Sequence, residues 1–311
     1  MELKRKDKYI IYKNDNFKVI LSSLGASIVE ISINDDVLTM TPINYEDLNR
    51  KDIYYGKTIG PITNRIKDGL IRIDDKEYRF PCNETNVSNH SGTIGLSNKL
   101  FVSSIQGNKV IFTHLQKIGA ANISYGVMYT FLDDYQIKVD YVVRASDKFV
   151  INLTNHTFFT LGESSIDALS LVIPADRFIE SDKDTLLPVR YKEIIDCLDF
   201  NNEKPVSKDI NDPYLQDHKS KGYDHSYILK EHTVTLKSPK YELNIESNYS
   251  NVHIYSDNYE DNVKVKTSSF TKNRGVAIEP TDDLLNRPIV NKEDVYQRYI
   301  VYTFKKVFPN G

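Results

Sequence analysis

Tryptophan is absent from this chain of 311 residues, and cysteine occurs only twice, as Cys82 and Cys197. The two cysteines lie far apart and belong to no CxxC or Cys/His pattern, so we expect two reduced thiols and no metal site. No apolar run approaches the roughly 20 residues that a membrane span needs. The N-terminus follows its charges with no apolar segment, so it does not resemble a secretory signal. These absences predict a cytoplasmic protein that does not cross a membrane.

Strong charge of one sign is also missing. The net charge is −3 and the isoelectric point is about 6.2, and the lysines and arginines are scattered. This composition argues against nucleic acid and anionic membrane surfaces as partners. The chain has no phosphate-binding glycine loop, HExxH, GxSxG or Rossmann fingerprint, which weakens the case for kinases, zinc proteases, serine hydrolases and dehydrogenases.

Tyrosine and β-branched residues are abundant, and the chain has 21 Tyr and 13 Phe. Short alternating runs recur along the chain, separated by Asn, Asp and Gly. This pattern predicts an all-β fold, a large antiparallel β-sandwich formed by residues 1–311 as a single domain. A sugar site in such a chain must use Tyr, Phe or His where other proteins use Trp.

Several local elements can be predicted. Leu70 to Phe80 has the pattern of a β-hairpin. Residues 45–52 are the best candidate for a short helix, and Asp133-Asp134 predicts a turn between two long strands. Residues 199–221 form a polar loop with two prolines.

The most unusual stretch is Val150 to Phe159, which begins as an alternating run and then becomes polar. In one continuous strand, Asn152, Thr154 and His156 share a face, because successive side chains point to opposite sides. Such a row packs poorly but suits a ligand rich in hydroxyls. A lone histidine in a strand is more commonly a hydrogen-bonded structural residue, and that alternative stays open.

Glu279 ends the apolar run Val276-Ala-Ile-Glu. A carboxylate in a buried strand is desolvated, which raises its pKa and suits a general base. An exposed carboxylate at a strand end is an equally good interpretation of the sequence alone.

Four further positions are weaker candidates. Asp224 opens a strand after a glycine, where aspartate commonly serves only the turn. Asn64 and Arg65 follow a Gly-Pro break, and the arginine could be a surface residue or a donor to vicinal hydroxyls. His90 lies in a loop of small residues that could reach a cleft. Tyr255 shares a strand face with His253.

Taken together and in order, these segments resemble the aldose 1-epimerase (galactose mutarotase) family. The most specific matches are N-L-T-N-H at residues 152–156 and G-Y-D-H at residues 222–225. Weaker similar segments span most of the remaining chain: residues 60–69, 86–92, 174–177 with 187–188, 252–255, 277–279 and 286–288.

The resemblance implies a galactose mutarotase-like supersandwich with an open sugar-binding cleft. It implies that Glu279 takes the proton from the anomeric hydroxyl of a free aldohexose such as galactose or glucose, while His156 protonates the ring oxygen. His90 assists near the ring oxygen, and Asp224 and Arg65, with Asn64 and Tyr255 beside them, hold sugar hydroxyls. The reaction moves only protons, so no cofactor is expected. The partner is the small-molecule aldose, and the protein is expected to be a monomer or a homodimer.

The sequence departs from the family pattern at positions that bear on the choice of sugar: Pro61, Ser91, Phe158, His253 and Pro280. Three other functions fit the same fold. They are a noncatalytic sugar-binding protein, a hexose-6-phosphate mutarotase and a glycoside hydrolase or lyase. The last needs two carboxylates flanking the scissile bond, for which Glu279 and Asp224 are the only nominees.

Overall fold

The computed structural model describes residues 2–132 and 135–307. Strands account for 50% of the structure and helices for 7%. The expected all-β fold is therefore confirmed. No helix in this part of the chain is long and apolar enough to cross a membrane.

The structure contains 28 described strands, of which β12, β13, β14 and β28 are the longest, with 10 to 12 residues each. The first ten are β1 (Glu2–Lys6), β2 (Tyr9–Lys13), β3 (Phe17–Ser22), β4 (Ser27–Ile33), β5 (Asp36–Val37), β6 (Thr58–Ile59), β7 (Arg65–Lys67), β8 (Leu70–Ile73), β9 (Lys76–Arg79) and β10 (Val87–Asn89). The next eleven are β11 (Val102–Gln106), β12 (Lys109–Ile118), β13 (Ala121–Leu132), β14 (Gln136–Ala145), β15 (Phe149–Val150), β16 (Thr154–Asn155), β17 (Phe158–Phe159), β18 (Ser170–Val172), β19 (Ala175–Ser181), β20 (Pro188–Glu193) and β21 (Lys204–Pro205). The last seven are β22 (Asp224–Leu229), β23 (Thr233–Lys237), β24 (Tyr241–Ser247), β25 (Asn251–Tyr255), β26 (Val276–Thr281), β27 (Ile289–Val290) and β28 (Tyr296–Lys306).

The helices are short and lie in the connections. One α-helix, α1, spans Pro213–Asp217. The 3₁₀-helices span Tyr45–Asn49, Gly92–Ile94, Leu96–Asn98, Ile166–Ala168 and Asp196–Leu198.

The first layer of the sandwich is a nine-stranded antiparallel sheet in the order β11-β12-β13-β14-β28-β24-β23-β18-β21. Its fourth strand, β14, alternates between the core and the outside, as its sequence predicts. Ile137, Val139 and Tyr141 are fully buried, whereas Lys138 and Asp140 are partly exposed. Because the side-chain period of a strand is two, one face of this sheet is apolar and needs a covering layer.

Two further sheets supply that layer. The five-stranded sheet β1-β2-β3-β4-β5 covers one part, and the ring of Tyr12 stacks on Phe131 with centroids 4.0 Å apart. The six-stranded sheet β17-β26-β25-β22-β19-β20 covers another part, where Phe159 contacts Tyr302 at 5.4 Å. A bridge between Thr39 and Phe159 joins these two sheets. The result is the predicted antiparallel sandwich.

The six-stranded sheet has one apolar and one polar face at its centre. On β25 and β26, Ile254 pairs with Ile278, and both are buried in the core. Their neighbours point the other way, and there His253 pairs with Glu279. On the adjacent strand β22, Ser226 pairs with His253. The alternation that fills the core therefore places a row of polar side chains on the opposite face.

The local predictions are confirmed in part. The Leu70 to Phe80 hairpin is formed by β8 and β9, and the predicted helix is a shorter 3₁₀-helix, Tyr45–Asn49, capped by the Asn44 side chain. Residues 199–221 contain β21 and α1 in addition to loop segments. The predicted turn at Asp133-Asp134 lies outside the described residues.

The prediction of one continuous strand from Val150 to Phe159 is wrong. The chain divides into β15, β16 and β17, which pair with β27, β6 and β26 respectively. The alternation of side chains is therefore interrupted twice, and the polar residues of this stretch do not share one face.

Candidate active site

A single cleft collects the polar residues at the centre of the structure. It opens above the polar face of the six-stranded sheet and is closed on its sides by the loops before β6, β7 and β10 and after β25. The residues that line it are Asp52, Ile53, Tyr54, Tyr55, Asn64, Arg65, Glu84, Asn89, His90, His156, Phe158, Asp224, His253, Tyr255, Asp257, Tyr259, Asp261 and Glu279. All seven residues predicted from the sequence to act at the site are among them.

His156 and Glu279 face each other in this cleft. The Nε2 atom of His156 lies 3.5 Å from Oε1 of Glu279, and the two side chains are 6% and 2% exposed. His156 is fixed by its backbone, since its N–H donates to Lys57 O and its carbonyl accepts from Gly56 N–H. Within the described residues, Glu279 Oε2 has no hydrogen-bond partner.

Burial shifts the pKa values of this pair in opposite directions. Desolvation raises the pKa of Glu279 well above its usual value, and the nearby charge of Asp224 adds to the rise. Desolvation lowers the pKa of His156 to about 3. Both shifts favour the uncharged forms, because a charge without solvent or a partner is costly. The two groups together therefore hold one proton over a wide pH range.

Of the predicted Asn152, Thr154 and His156 row, only His156 lines the cleft. Asn152 is fully buried, and its Oδ1 accepts hydrogen bonds from Asp282 N–H and Thr281 Oγ. Thr154 is fully buried too. The expectation that the row binds a ligand is wrong for these two residues, because the breaks in the strand direct their side chains into the protein interior.

Arg65, at the start of β7, is held between two carboxylates. Its Nη2 atom lies 3.3 Å from Asp224 Oδ2, and its Nε lies 3.3 Å from Glu84 Oε1. Burial by itself raises the pKa of Asp224, but the charge of Arg65 and a hydrogen bond from His253 outweigh it and lower the pKa far below the usual value. Burial alone lowers the pKa of Arg65, and the two carboxylates reverse this and raise it. Asp224 and Arg65 are therefore both charged.

Asn64 and His90 are paired through an unusual backbone. Both have positive φ, 61° and 54°, a conformation that costs about 1–3 kcal/mol each and persists only where the surroundings enforce it. The surroundings do so here. Asn64 N–H donates to His90 Nδ1 at 3.2 Å, and His90 N–H donates to Asn64 O at 3.1 Å. Since Nδ1 of His90 accepts, its Nε2–H is the donor available to a ligand. Desolvation, reinforced by His156 and Arg65, lowers the pKa of His90 well below its usual value.

Sequence reasoning missed the aromatic and acidic wall of the cleft. The ring of Tyr54 lies 4.9 Å from that of His90 and 5.6 Å from that of His156. Tyr259, at the rim, donates its hydroxyl to Lys219 O. Neither residue sits in an alternating strand, so no local pattern marked it.

A buried ion-pair cluster joins the two loops of this wall. Arg274 is 1% exposed, and its Nε lies 2.7 Å from Asp257 Oδ2. Its Nη2 lies 3.1 Å from Asp261 Oδ2 and donates to Tyr55 Oη at 3.0 Å. Because Tyr55 belongs to one loop and the aspartates to the other, Arg274 holds the two loops together beside the cleft.

In the part of the chain that is described, no group of three His, Cys, Asp or Glu side chains is arranged to hold a metal ion. Cys82 is exposed and Cys197 buried, and both are free thiols. What the cleft offers instead is an acid–base pair, hydrogen-bond donors and acceptors, and aromatic rings.

Only two of the five departures from the family pattern line the cleft, namely Phe158 and His253. Ser91 is fully buried, and its hydroxyl donates to Ile62 O and accepts from Ile62 N–H. Pro280 pairs with Val252, a core residue. Phe158 packs against His156 with ring centroids 5.0 Å apart. Of the five departures, Phe158 and His253 are therefore the ones that bear on the shape and hydrogen bonding of the cleft.

Comparison with known proteins identifies the family of the chain. The model of the aldose 1-epimerase family matches residues 7–303, which is nearly the whole chain. The chain belongs to the aldose 1-epimerase family. Aldose 1-epimerases are isomerases that act on small sugars.

The similarity to individual family members is modest in sequence and high in fold. Galactose mutarotase of Rattus norvegicus is 27% identical over 299 residues, covering 89% of this chain and 86% of that protein. The human galactose mutarotase is 30% identical over 230 residues, covering 70% and 66%. The structure of a galactose 1-epimerase from Lactobacillus acidophilus NCFM superposes with a TM-score of 0.85 at 21% identity, covering 97% of each chain. At that identity, this superposition speaks for the fold.

Proposed function

We propose that this protein is an active aldose 1-epimerase that interconverts the α- and β-anomers of a free aldohexose such as galactose or glucose. The observation that carries the proposal is the buried pair of His156 Nε2 and Glu279 Oε1, 3.5 Å apart in a cleft that is otherwise lined by hydrogen-bonding and aromatic side chains. We also infer that residues 1–311 form one domain, since the family match spans residues 7–303.

The proposed reaction moves two protons. Glu279, as a carboxylate, takes the proton of the anomeric hydroxyl, and His156, as an imidazolium, gives a proton to the ring oxygen. The bond between C1 and the ring oxygen breaks, and an open-chain aldehyde forms. Rotation about C1–C2 presents the other face of the aldehyde, and reclosure with the proton transfers reversed gives the other anomer. Glu279 and His156 then regain their starting protonation, so no net proton is consumed.

The electrostatics of the cleft support a pair that shares one proton. Burial favours neutral Glu279 and neutral His156. A bound sugar would bring a hydroxyl donor to Glu279 and a ring-oxygen acceptor to His156. Hydrogen bonds to charged groups are about twice as strong as those between neutral groups. Binding would therefore move the shared proton from Glu279 to His156 and prepare the reactive state.

The remaining sugar hydroxyls have donors and acceptors available. Asp224 is a fixed, ionised acceptor, and Arg65 and His90 carry donors that reach the cleft. Tyr54 and Tyr255 supply aromatic surface, which replaces the tryptophan common in sugar sites.

Charge argues against a phosphorylated or a glycosidic substrate. Among the described residues that line the cleft, Arg65 is the only lysine or arginine, and it is already paired with Asp224 and Glu84. Little positive charge is left for a phosphate group. Asp224, committed to Arg65 and His253, is also unsuited to act as a second glycosidase carboxylate.

Polarimetry tests the proposal directly. We would dissolve pure α-D-galactose, and separately α-D-glucose, and follow optical rotation with and without the protein. The expected result is faster relaxation to the same final rotation, with the faster sugar identifying the preference. Glu279→Gln and His156→Asn serve as controls, and both are expected to lose the acceleration.

Two other outcomes are informative. Thermal stabilisation by sugars with no acceleration would point to a noncatalytic sugar-binding protein. No acceleration and no stabilisation with any aldose would contradict the proposed function.

A further inference from the structure

His253 belongs to the cleft but has no place in the proton transfers described above. It lies on β25, directly opposite Glu279 on β26, and is 7% exposed. Where the family pattern has glutamine, this chain has an imidazole. Its two nitrogens point in different directions, and both are engaged within the protein.

The hydrogen bonds of His253 assign its tautomer. Its Nε2 lies 2.7 Å from Asp224 Oδ1, and a carboxylate can only accept, so Nε2 carries the proton. Its Nδ1 lies 2.7 Å from Ser226 Oγ and 3.5 Å from Asn64 Nδ2. An amide nitrogen can only donate, so Nδ1 accepts, and the Ser226 hydroxyl donates to it as well.

Both oxygens of the Asp224 carboxylate therefore have a partner. His253 donates to Oδ1, and the Arg65 guanidinium lies beside Oδ2 at 3.3 Å. The chain of contacts continues from Arg65 to Glu84 at one end and from His253 to Ser226 at the other. A carboxylate held by two donors cannot rotate, and its remaining lone pairs point in set directions.

We propose that His253 is a positioning residue that fixes the Asp224 carboxylate, so that Asp224 accepts a hydrogen bond from one particular hydroxyl of the sugar. This proposal rests on the proposed function of the cleft and names a determinant of its selectivity. In this chain, selectivity at that hydroxyl depends on a histidine that is oriented by Ser226 and has no ring nitrogen free for the sugar.

Two substitutions separate the two nitrogens of His253. The amide of a glutamine reaches the position of Nε2, so His253→Gln keeps a donor to Asp224 and gives up the partner of Ser226. The amide of an asparagine reaches the position of Nδ1, so His253→Asn keeps a partner for Ser226 and leaves Asp224 without its donor. The two variants are matched in chemistry and differ in which contact they retain.

We expect KM to rise about tenfold in His253→Asn and to stay within about twofold of wild type in His253→Gln, with kcat nearly unchanged in both. An equal rise in KM for both variants would overturn the proposal, because it would show that the donor to Asp224 is not what matters.

A panel of monodeoxy aldoses distinguishes the proposed role of His253 from a merely structural one. In the wild type, one deoxy sugar should bind about tenfold more weakly than the parent, since it lacks the hydroxyl that Asp224 accepts from. In His253→Asn this penalty should largely disappear for that sugar alone, because interacting groups show non-additive effects. A uniform loss of affinity across the panel would contradict the proposal.

Direct titration of sugar binding keeps this test separate from the test of catalysis. Sugar binding without acceleration of mutarotation would end the proposed function and still allow the panel to be measured as Kd. Absence of binding by every sugar would overturn both proposals.

If His253→Asn does not fold, Ser226→Ala replaces it. Removing the hydroxyl that donates to His253 Nδ1 should raise KM about threefold, with the same pattern across the deoxy sugars. An equal loss of affinity for every sugar would again refute the proposal.

Discussion

The two ends of the cleft treat charge in opposite ways. At the acid–base end, Glu279 and His156 are buried, and burial drives both towards their uncharged forms. At the anchoring end, Asp224 and Arg65 are just as buried, yet each is held charged by partners within 3.3 Å. The backbone environment is the same sheet and the loops beside it, so the difference lies in which side chains face each group.

This contrast shows how one fold can provide both reactivity and rigidity. A buried charged group with good partners keeps its charge and its position. A buried titratable group without such partners has a strongly shifted pKa, which suits it to proton transfer. Reactivity at the acid–base end lowers the stability of the fold. The charged groups at the anchoring end keep their protonation state. The predictions below change one end at a time or compare it with a buried carboxylate elsewhere in the protein.

The largest effect is expected from removing the base. Glu279→Gln should lower kcat by about a thousandfold, within the range of general acid–base contributions, while KM changes little. Steady-state polarimetry at several sugar concentrations measures both constants. A variant that retains more than a tenth of the wild-type kcat would contradict the role of Glu279.

A smaller effect of the other kind is expected at the anchoring end. Asp224→Asn should raise KM about 30-fold, equivalent to about 2 kcal/mol, because a fixed charged acceptor is lost and Arg65 keeps only Glu84. The effect on kcat should be minor.

Asp282→Asn is the matched control for that variant. Asp282 is likewise a buried aspartate paired with an arginine, Arg298 at 2.6 Å, but it does not line the cleft. Its replacement should leave KM unchanged, whatever it does to the melting temperature. If both aspartate variants raise KM equally, Asp224 acts only through stability.

The pH dependence should report the shared proton of the acid–base end. Because burial lowers the pKa of His156 to about 3, the pair takes up a second proton only in strong acid. Because burial raises the pKa of Glu279, the pair loses its last proton only well above the usual carboxylate range. The catalysed part of kcat/KM should therefore follow a broad bell whose two limbs belong to the pair as a whole. An acidic limb at the usual pKa of an exposed histidine, rather than far below it, would argue against this coupling.

The smallest effect concerns stability and compares two buried glutamates. In Glu279 the folded pKa is raised, so at neutral pH the carboxyl destabilises the fold, and the effect vanishes below the usual pKa, where both states are protonated. Glu279→Gln should raise the melting temperature by about 2 °C at pH 7 and not at pH 4.

Glu30 provides the contrasting case. It is fully buried, with Lys18 and Lys266 each 2.6 Å away. Burial by itself would raise its pKa, but the two lysines lower it. Its stabilising contribution is therefore present above the usual carboxylate pKa and is lost as pH falls. Glu30→Gln should lower the melting temperature at pH 7, and a rise in both variants would show that pairing does not decide the sign.

Sequence patterns predicted the β-sandwich, and the resemblance to the family gave roles to the seven candidate site residues, all of which line the cleft. Glu279 was found because a carboxylate ends an apolar run, whereas Asp224 by itself indicated only a turn and gained a role from the resemblance. Tyr54, Tyr259 and Arg274 were missed, since they lie in irregular loops whose positions depend on distant partners. The Asn152 and Thr154 error has a related cause, because pairing with β6 and β26 divides what reads locally as one strand.

By itself, the sequence determined the alternation of strands, the apolar core and which residues could serve chemistry, because these depend on side-chain period and composition. Only the tertiary structure decided that His156 and Glu279 lie 3.5 Å apart without a charged partner, and that Asp224 lies between Arg65 and His253. These residues are far apart in the chain. Their pKa values and orientation arise from desolvation and from neighbours supplied by other strands, which no local pattern records.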